Sequence, residues 1–470
     1  MNSQEPVSVA LHQLTSTRRY QVFIFLVISI FDSIPSIIHM NAFTFLGYTP
    51  KHRCAMGLND TEYSHYQNVN YTNSIGKNFK CYLPNNKSCD KGWVFDKSFI
   101  QSSTTSEWNL VCENNILPEM SQAMFNVGVM IGALIFGHLS DRFGRKKIFI
   151  SCLVLQSLFG TIAAFVTHFT LFVVIRMIVG CLEQGINIVG FIMAIELFLP
   201  KDRTVFAVSH EYFWALGGCI LPFIAYFVRE WRILQIIISA PWVIAIVLLW
   251  LLPESIVWLI SKNKFNKVNK ILSTGNKFYR NKTIKENIFN DNISLSTSKK
   301  IPKDSFNAHL TYETKPDYPN IPKSPKSLNV TYLFRTKKLR TITSSLSVLW
   351  LLNTAAYYGW SYNTPNLNGN LYFNFFLAHI IEIPSCFLTV VLISKFGRIK
   401  PLIIFHLMGG IVCIISVFIP NDVNGYSIRW LQTVFALIGK FAFNSSYTII
   451  YIYGPEIYPT TLRTTGFYFF

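Results

Sequence analysis

The chain has 470 residues, of which 51% are hydrophobic and 15% aromatic, while only 14% carry a charge. A soluble protein of this size rarely has so few charged residues, so the composition argues against a soluble enzyme and indicates a membrane protein. The net charge of +18 comes largely from residues 261–340, with eighteen Lys and Arg against five Asp and Glu. A basic cytosolic loop facing anionic lipid accounts for this charge, so we expect membrane lipid and no nucleic acid among the partners.

Apolar runs recur along the chain, and each is long enough to cross a hydrocarbon core of ~30 Å. The short alternating strands of a membrane barrel are missing from the pattern, so we predict an all-α polytopic membrane protein. We predict ten spans, at 21–43, 120–139, 149–167, 169–190, 205–227, 233–252, 342–362, 371–394, 400–420 and 428–453. The remaining residues, up to Phe470, enter what we expect to be the start of an eleventh span.

A long polar loop, 44–119, follows the first span and has seven Lys and Arg against seven Asp and Glu. It therefore lacks the basic bias of cytosolic loops. Its three glycosylation acceptors are Asn59, Asn70 and Asn86, and its four cysteines are Cys54, Cys81, Cys89 and Cys112. These features place the loop outside the cell, where we expect glycans and two disulfides. Four cysteines can pair in three ways, and the sequence does not decide among them. Zinc is a weaker alternative without CxxC spacing, and no metal is predicted.

The remaining segments complete the domain organisation. Residues 1–20 are polar and no small-residue cleavage site follows the first span, so we predict a short cytosolic N-terminus. Residues 21–252 are predicted to form an N-terminal six-helix bundle, and 342–470 a partial C-terminal bundle. The basic loop 253–341 between them contains an amphipathic helix pattern around Phe265, Val268, Ile271 and Leu272.

A short basic turn joins the second and third spans and organises the rest of the chain. Residues Gly137 to Lys147 read Gly-His-Leu-Ser-Asp-Arg-Phe-Gly-Arg-Lys-Lys. Such a turn holds two membrane helices close together and, by the positive-inside rule, lies in the cytosol.

Two features of the first half of the chain return in the second half. Phe143-Gly144-Arg145 follows span 2, and Phe396-Gly397-Arg398 follows span 8. After spans 4 and 10, an Arg lies seven residues beyond a Glu, in the pairs Glu196 with Arg203 and Glu456 with Arg463. A parallel internal repeat of this kind is typical of facilitator transporters.

The basic turn resembles the signature between the second and third helices of the major facilitator superfamily. Further segments resemble one family within it, the organic cation, anion and carnitine transporters. These segments are Pro50–Cys54, Cys89–Asp96, Glu107–Cys112, Trp231–Gln235, Pro253–Ser255, Asn366–Asn370 and Tyr458–Thr460. The resemblance implies a facilitator fold of two pseudo-symmetric helix bundles, with about ten of the family's twelve spans present and the C-terminal bundle incomplete. It also implies a multi-pass protein of the plasma membrane that transports small organic ions by alternating access.

The sequence shows no enzyme constellation, because no nucleophile turn and no glycine-rich phosphate loop appear, and no cofactor is expected. Polar groups at membrane depth are costly and are therefore the candidates for function. The predicted substrate-binding residues are Gln184, Asn187, Tyr357, Tyr358, Glu382, Lys440 and Tyr447. Tyrosine rings attract alkylammonium groups, although interfacial aromatic belts are a second interpretation of these tyrosines.

A cytosolic gate is predicted from the repeated charged motifs. Its residues are Asp141, Arg145, Arg176, Glu196, Arg203, Glu254, Arg398, Glu456 and Arg463. Asp141 and Arg176 resemble a superfamily pair that locks the cytosolic side. Glu183 either neutralises Arg176 or takes part in binding, and the sequence leaves both open.

The ionisable residues within the spans predict the charge of the substrate. Four acids, Asp32, Glu183, Glu211 and Glu382, stand against two bases, Arg176 and Lys440. This surplus favours an organic cation or a zwitterion such as carnitine. Two alternatives stay open: an organic anion transporter, and a truncated, non-transporting regulatory membrane protein. We expect residues 1–470 alone to insert into the membrane but not to transport.

Overall fold

The computed structural model describes residues 4–55, 60, 63, 81–82, 88–279, 330–364, 367, 369–420, 422–423, 426–427 and 429–458. In the first half, the helices are α1 (Gln4–Ser16), α2 (Arg18–Asn41), α3 (Phe43–Leu46), α4 (Thr104–Glu107), α5 (Leu117–Phe143), α6 (Arg145–Ala163), α7 (Phe169–Glu196), α8 (Arg203–Phe227), α9 (Trp231–Ser239), α10 (Leu248–Leu251), α11 (Ile256–Ser261) and α12 (Phe265–Tyr279). A 3₁₀ segment, Ala240–Val247, joins α9 to α10. In the second half, they are α13 (Lys337–Tyr362), α14 (Leu371–Ile380), α15 (Glu382–Phe396), α16 (Ile399–Phe418) and α17 (Arg429–Ile457).

Strands occur in the described residues as two short antiparallel pairs in the connecting loops. Strand β1 (His52–Cys54) pairs with β2 (Trp93–Phe95), with Arg53 opposite Val94. Strand β3 (Asp422–Val423) pairs with β4 (Tyr426–Ser427). Neither pair reaches into the helical core, and the predicted all-α class is confirmed.

Six of the described helical stretches are long and apolar enough to cross a membrane, whereas the sequence predicted ten spans. They are Arg18–Leu46, Cys112–Phe143, Arg145–Ala163, Phe169–Glu196, Leu371–Phe396 and Ile399–Phe418. The other four predicted spans also form helices, namely α8, α9 with the 3₁₀ segment and α10, α13, and α17. The difference lies in composition, because polar residues such as His210 in α8 and Lys440 in α17 make these helices less apolar. Both side chains are buried within the protein, where a polar group at membrane depth can find partners.

Small residues hold α5 and α7 in close contact. A Cβ atom added to Gly128 would lie 2.0 Å from the carbonyl oxygen of Met177, and one added to Gly180 would lie 2.3 Å from that of Phe125. Only glycine permits backbones to approach so closely, as is common between membrane helices. This contact fixes the position of α7, which carries many of the polar residues described below.

The basic turn predicted from the sequence lies between α5 and α6, at one end of the bundle. Gly144 has φ of 105° and ψ of 147°, a conformation essentially restricted to glycine. A Cβ atom there would lie 2.5 Å from Glu254 Oε2. We call this end, with α11 and α12, the basic end, and the opposite end, with β1 and β2, the cysteine-rich end.

The segments outside the main bundle form a small helical layer at the basic end. Helix α1 packs against α11 and α12, and Leu11 and Leu14 are almost fully buried. In α12, Val268 and Leu272 are buried in the same core as the ends of α2 and α6. The amphipathic pattern around Phe265 therefore does form a helix, with its apolar face directed into the protein.

Helix α8 makes the main contact between the two halves. It packs against α14, α15 and α17 of the second half as well as against α2 and α7 of its own half. At Gly218 the approach is close, since an added Cβ atom would lie 2.4 Å from the His379 ring. The two halves thus meet along α8, and the cavity described next lies beside this contact.

Candidate functional site

A cavity lies between the two halves, with about 670 Å³ of space between atoms, including space open to solvent. Helices α2, α7 and α8 of the first half and α13 and α17 of the second half form its wall. The residues that line it are Met40, Glu183, Gln184, Asn187, Phe191, His210, Glu211, Trp214, Tyr357, Tyr358, Asn444, Tyr447 and Tyr451. A site between the halves is the arrangement that the internal repeat predicts.

Aromatic rings form one continuous part of this wall. The ring centroid of Tyr357 lies 5.2 Å from that of Tyr358 and 5.6 Å from that of Tyr447. Tyr451 lies 6.0 Å from Tyr447 and 5.1 Å from Phe191, which belongs to the opposite half. A cation in this space would meet several negative ring faces at once, which is how proteins recognise quaternary ammonium groups.

Two carboxylates complete the charge pattern of the wall. Glu183 on α7 and Glu211 on α8 both line the cavity, and the lining residues include no Lys or Arg in the described part of the chain. Glu183 is 1% exposed, and its Oε2 atom has no hydrogen-bond partner among the described residues. A buried carboxylate oxygen without a donor is stabilised by a nearby positive charge, so this part of the cavity wall favours a cation.

Glu382, a predicted binding residue, is buried behind Tyr357 rather than on the cavity wall. Its Oε1 accepts a hydrogen bond from the Tyr357 hydroxyl at 2.8 Å and lies 3.2 Å from Lys440 Nζ. Lys440 also donates to Ser361 Oγ at 2.6 Å and lies 4.3 Å from the centre of the Tyr357 ring. His379 Nδ1 is 3.2 Å from the same carboxylate oxygen. The two predicted binding residues therefore form an ion pair that reaches the cavity through one tyrosine.

This tyrosine also joins the two halves. Trp214 on α8 donates its indole N–H to the Tyr357 hydroxyl at 3.2 Å. The hydroxyl therefore accepts from one half while it donates to Glu382 in the other. A change in the Glu382 ion pair would act directly on the contact between the halves.

The predicted binding residues divide into two groups. Gln184, Asn187, Tyr357, Tyr358 and Tyr447 line the cavity, whereas Glu382 and Lys440 lie behind it. Glu183, for which the sequence left a binding role open, also lines the cavity. Sequence reasoning did not predict as binding residues Met40, Phe191, His210, Glu211, Trp214, Asn444 and Tyr451. Helical spacing could have found several of them, because Phe191 lies four residues after Asn187, and Asn444 and Tyr451 flank Tyr447 by three and four residues.

At the basic end, charged residues close the turn between α5 and α6. Arg145 forms an ion pair with Glu196, and its Nη2 lies 3.5 Å from Asp141 Oδ1. Glu196 also accepts from Ser255 Oγ at 2.5 Å. Arg203 acts electrostatically on Glu196 and donates its Nε–H to the Phe198 carbonyl. The predicted partners thus meet in one network within the first half.

Glu254 binds the beginning of α6. Its Oε1 accepts the backbone N–H groups of Arg145 and Lys146, both at 2.9 Å. A carboxylate at this position satisfies helix donors that otherwise have no partner and complements the positive end of the helix.

The second half has a related pair at its own basic turn. Arg398 donates to both carboxylate oxygens of Glu456, at 3.0 and 3.1 Å. Arg463, its predicted companion, lies outside the described residues. The network around Arg145 thus lies within the first half, and the Arg398–Glu456 pair lies within the second half.

The predicted pairing of Arg176 with Asp141 is wrong. Arg176 lies near the beginning of α7, and its guanidinium donates to Gln122 Oε1 at 2.8 Å, near the beginning of α5. The rings of Phe43 and Phe125 cover it. Asp141 is at the far end of α5, so the helix lengths keep the two residues at opposite ends of the bundle. Arg176 therefore belongs to the cysteine-rich end, and a cytosolic gate role does not fit its position.

The two halves are in contact at the cysteine-rich end. The Tyr372 ring, on α14, stacks with the rings of Phe45 on α3 and Phe99 of the polar loop, at 5.6 and 4.9 Å. Gln122 on α5 donates its amide to the Tyr362 hydroxyl at 2.9 Å. Packed aromatic rings therefore close the space between the halves at this end.

The polar loop is tied together by its cysteines. Cys54 is bonded to Cys89 and Cys81 to Cys112, which is one of the three connectivities that the sequence left open. A side-chain hydrogen bond from Ser98 lowers the pKa of Asp96 in the same loop. The predicted glycosylation sites Asn59, Asn70 and Asn86 lie outside the described residues.

Two helical bundles with a cavity of polar and aromatic residues between them define the class, a multi-pass membrane carrier of the facilitator type. The structure resembles the xylose transporter XylE of E. coli in a partially occluded inward open conformation, with a TM-score of 0.56 and 14% sequence identity. The match covers 97% of this chain and 89% of that one, and at this identity it shows the fold alone.

Sequence comparison defines the family. Residues 117–470 match the Major Facilitator Superfamily. The chain is 32% identical to an organic cation transporter protein of Drosophila melanogaster over 421 residues, 90% of this chain and 71% of that protein. It is 30% identical to human organic cation/carnitine transporter 2, over 81% of this chain and 63% of that protein. The chain therefore belongs to the major facilitator superfamily and, within it, to the organic cation and carnitine transporter family.

Proposed function

We propose that this protein carries small organic cations, or zwitterions with a cationic head, across the plasma membrane by alternating access. One observation carries the proposal: the cavity between the halves is lined by Glu183, Glu211 and a set of aromatic rings, without a lining Lys or Arg among the described residues. An organic anion would face two carboxylates with no opposing base. The names of the fly and human relatives, organic cation and organic cation/carnitine transporters, agree with this charge preference.

The substrate head would bind between Glu211 and the rings of Tyr357 and Tyr447. An alkylammonium group there gains attraction from the ring faces and from the carboxylates, and neither contact needs a donor on the substrate. Gln184, Asn187 and Asn444 supply amide groups that can bind polar atoms of the substrate tail. Such a wall fits quaternary ammonium compounds and betaines better than dicarboxylates.

The cysteine-rich end and the basic end of the protein would then be closed by different kinds of contact. At the cysteine-rich end, the stacked rings of Phe45, Phe99 and Tyr372 join the halves. At the basic end, the ion pairs around Arg145 and Arg398 would hold each half's turns in place and would rearrange as that end opens. The basic end would face the cytosol, since its turns carry the Lys and Arg excess.

The test is uptake of three labelled compounds side by side, namely carnitine, tetraethylammonium and a dicarboxylate, by cells that express the chain on their surface with two further helices of a relative joined after residue 470. We expect saturable uptake of one or both of the first two and none of the dicarboxylate. Glu211→Gln should lower cation uptake, whereas Glu119→Gln, at the beginning of α5 and away from the cavity, is the matched control. Uptake of the dicarboxylate alone would contradict the proposal, as would no saturable uptake of any of the three.

A further inference from the structure

A buried arginine at the cysteine-rich end carries a charge that no carboxylate balances among the described residues. Arg176 on α7 is 1% exposed, and no Asp or Glu of the described chain lies within ion-pair distance of it. Its hydrogen bonds go to neutral acceptors, the Gln122 amide and the backbone carbonyl of His39, and its Nε has no partner there. Contacts with the rings of Phe43 and Phe125 compensate for part of the charge. Because a buried charge without a counter-ion is costly, this place favours a negative group.

A carboxylate lies further along the same helix. Glu183 follows Arg176 by seven residues, which is two turns or about 10 Å along one face of α7. The sequence left open whether Glu183 neutralises Arg176, and in the structure the two are not paired, since Glu183 Oε2 and Arg176 Nε both lack a partner among the described residues. Glu183 lines the cavity, whereas Arg176 lies closer to the cysteine-rich end. This face of α7 thus presents two opposite charges, as a dipolar ligand would require.

Tyr362 on α13 connects the cavity with the arginine. Its ring stacks on that of Tyr358, which lines the cavity, with the centroids 5.8 Å apart. Its hydroxyl accepts from Gln122 Nε2 at 2.9 Å, and Gln122 Oε1 in turn accepts from the Arg176 guanidinium at 2.8 Å. Tyr362 also interacts electrostatically with both Arg176 and Glu183, so it lies within range of the two opposite charges.

We propose that Tyr362 and Asn126 form a subsite for the carboxylate of a zwitterionic substrate, and that Arg176, acting through Gln122, supplies the positive charge that selects this carboxylate. The inference rests on the proposed function and adds a place for the anionic end of the substrate. Asn126 is exposed, follows Gln122 by one turn of α5 and hydrogen-bonds to Tyr362. A hydroxyl that accepts from an amide can still donate its own proton, so Tyr362 and Asn126 can both donate to a carboxylate. The guanidinium polarises the Gln122 amide and thereby strengthens these hydrogen bonds.

A zwitterion bound in this way has one favoured orientation. Its ammonium head lies between Glu211 and the rings of Tyr357 and Tyr447, and its carboxylate points toward the cysteine-rich end. The reverse orientation is disfavoured, because it would bring the carboxylate next to Glu183 and the ammonium next to Arg176. A dicarboxylate meets this repulsion in either orientation, and a simple alkylammonium leaves the subsite empty. The subsite therefore distinguishes betaines from plain cations by affinity.

Two probes of nearly the same shape test the subsite. γ-Butyrobetaine and butyltrimethylammonium share the head group and the chain length, and they differ in whether the chain ends in a carboxylate or a methyl group. Calorimetric titration of the purified chain gives a Kd for each probe. We expect γ-butyrobetaine to bind about tenfold more tightly, the gain that hydrogen bonds to a charged group typically provide.

Substitutions in the subsite should change the ratio of the two Kd values. Arg176→Gln should abolish the preference by weakening the betaine alone, whereas Arg176→Lys should keep part of it, because lysine retains the charge without the planar fork of donors. Tyr362→Phe and Asn126→Ala should each reduce the ratio several-fold, and they decide the question by themselves if Arg176→Gln does not fold. Arg229→Gln, at an exposed arginine that follows α8 at the same end, is the matched control and should keep the wild-type ratio.

The possible outcomes separate this inference from the proposed function. Equal Kd values for the two probes in the wild type, or an equal loss for both in Arg176→Gln, would overturn the subsite while leaving cation binding intact. Tighter binding of butyltrimethylammonium in chloride than in gluconate, without a preference for the betaine, would assign the place to a free anion and would also overturn the subsite. Binding of neither probe would overturn the proposed function and this inference together.

Discussion

Lys440 Nζ lies 3.2 Å from Glu382 Oε1 in the second half, and both side chains are almost fully buried. Glu382, which the sequence suggested as a binding residue for a cationic substrate, is therefore already paired with a cationic side chain. A substrate that reaches Glu382 has to compete with this lysine or act on it through Tyr357, which donates to the same oxygen. The pair thus links the cavity wall to the packing of α13, α15 and α17.

The pair can be tested by a double-mutant cycle. Removal of one partner from a buried ion pair leaves the other charge uncompensated and typically costs about 3–5 kcal/mol. We expect Glu382→Gln and Lys440→Gln each to lower the Tm clearly, and the double variant to lose less than the sum. Lys395→Gln, an exposed lysine on α15, is the control and should leave the Tm unchanged. Additive losses would contradict the coupling.

The same substitution tests the role of Glu382 in transport. Glu382→Gln should lower uptake of an organic cation far more than it lowers the amount of protein at the cell surface, because the freed Lys440 would add a positive charge next to Tyr357. Uptake and surface biotinylation are measured on the same cells. Unchanged cation uptake, or an equal loss for an anion, would show that Glu382 has no such role.

The two basic turns offer a matched pair of glycines. Gly144 and Gly397 both have positive φ, 105° and 77°, so alanine at either position is strained by about 1–3 kcal/mol. The two sites differ in the space around the added Cβ atom. At Gly144 this atom would lie 2.5 Å from Glu254 Oε2, whereas at Gly397 no atom lies within 4 Å of it. We expect Gly144→Ala to lower the Tm more than Gly397→Ala. Equal losses would mean that backbone strain alone accounts for the loss of stability and that the contact with Glu254 adds nothing.

The cysteine pairs predict the outcome of thiol labelling. In unreduced protein, Cys54, Cys81, Cys89 and Cys112 should resist alkylation. Cys54→Ser should expose the Cys89 thiol and no other in the loop, and Cys81→Ser should expose that of Cys112. Mass spectrometry of the alkylated peptides identifies the freed cysteine. Labelling of all four in the wild-type protein would be incompatible with this connectivity.

The polar loop should also carry glycans, because Asn59, Asn70 and Asn86 each begin an Asn-x-Ser/Thr acceptor in a loop predicted to be outside the cell. Glycosidase treatment should increase the gel mobility of the protein, and substitution of all three asparagines by Gln should abolish this shift. Asn281→Gln, at an acceptor in the predicted cytosolic loop, is the control and should not change the shift. Unaltered mobility after glycosidase treatment would contradict the predicted orientation.

Much of the fold followed from the sequence, because the bilayer imposes simple rules. A span must be apolar and of a certain length, and its ends must carry charge of the right sign, so ten helical regions and the basic turn could be placed by inspection. Composition and motif spacing, as in Gly137 to Lys147, also identified the family. Several residues of the cavity wall followed as well, since Gln184 and Asn187 share one helix face with the later-found Phe191.

What only the tertiary structure decided is which side chains meet. Helical periodicity gives the face of a residue but not the helix that packs against that face. The sequence therefore suggested Asp141 as the partner of Arg176. In the structure, α5 and α7 pack closely at Gly128 and Gly180, and this packing places Arg176 beside Gln122. For the same reason, the contacts of Asp32 with His210 and of Glu382 with Lys440, which join helices far apart in the chain, became visible only once the helices were packed.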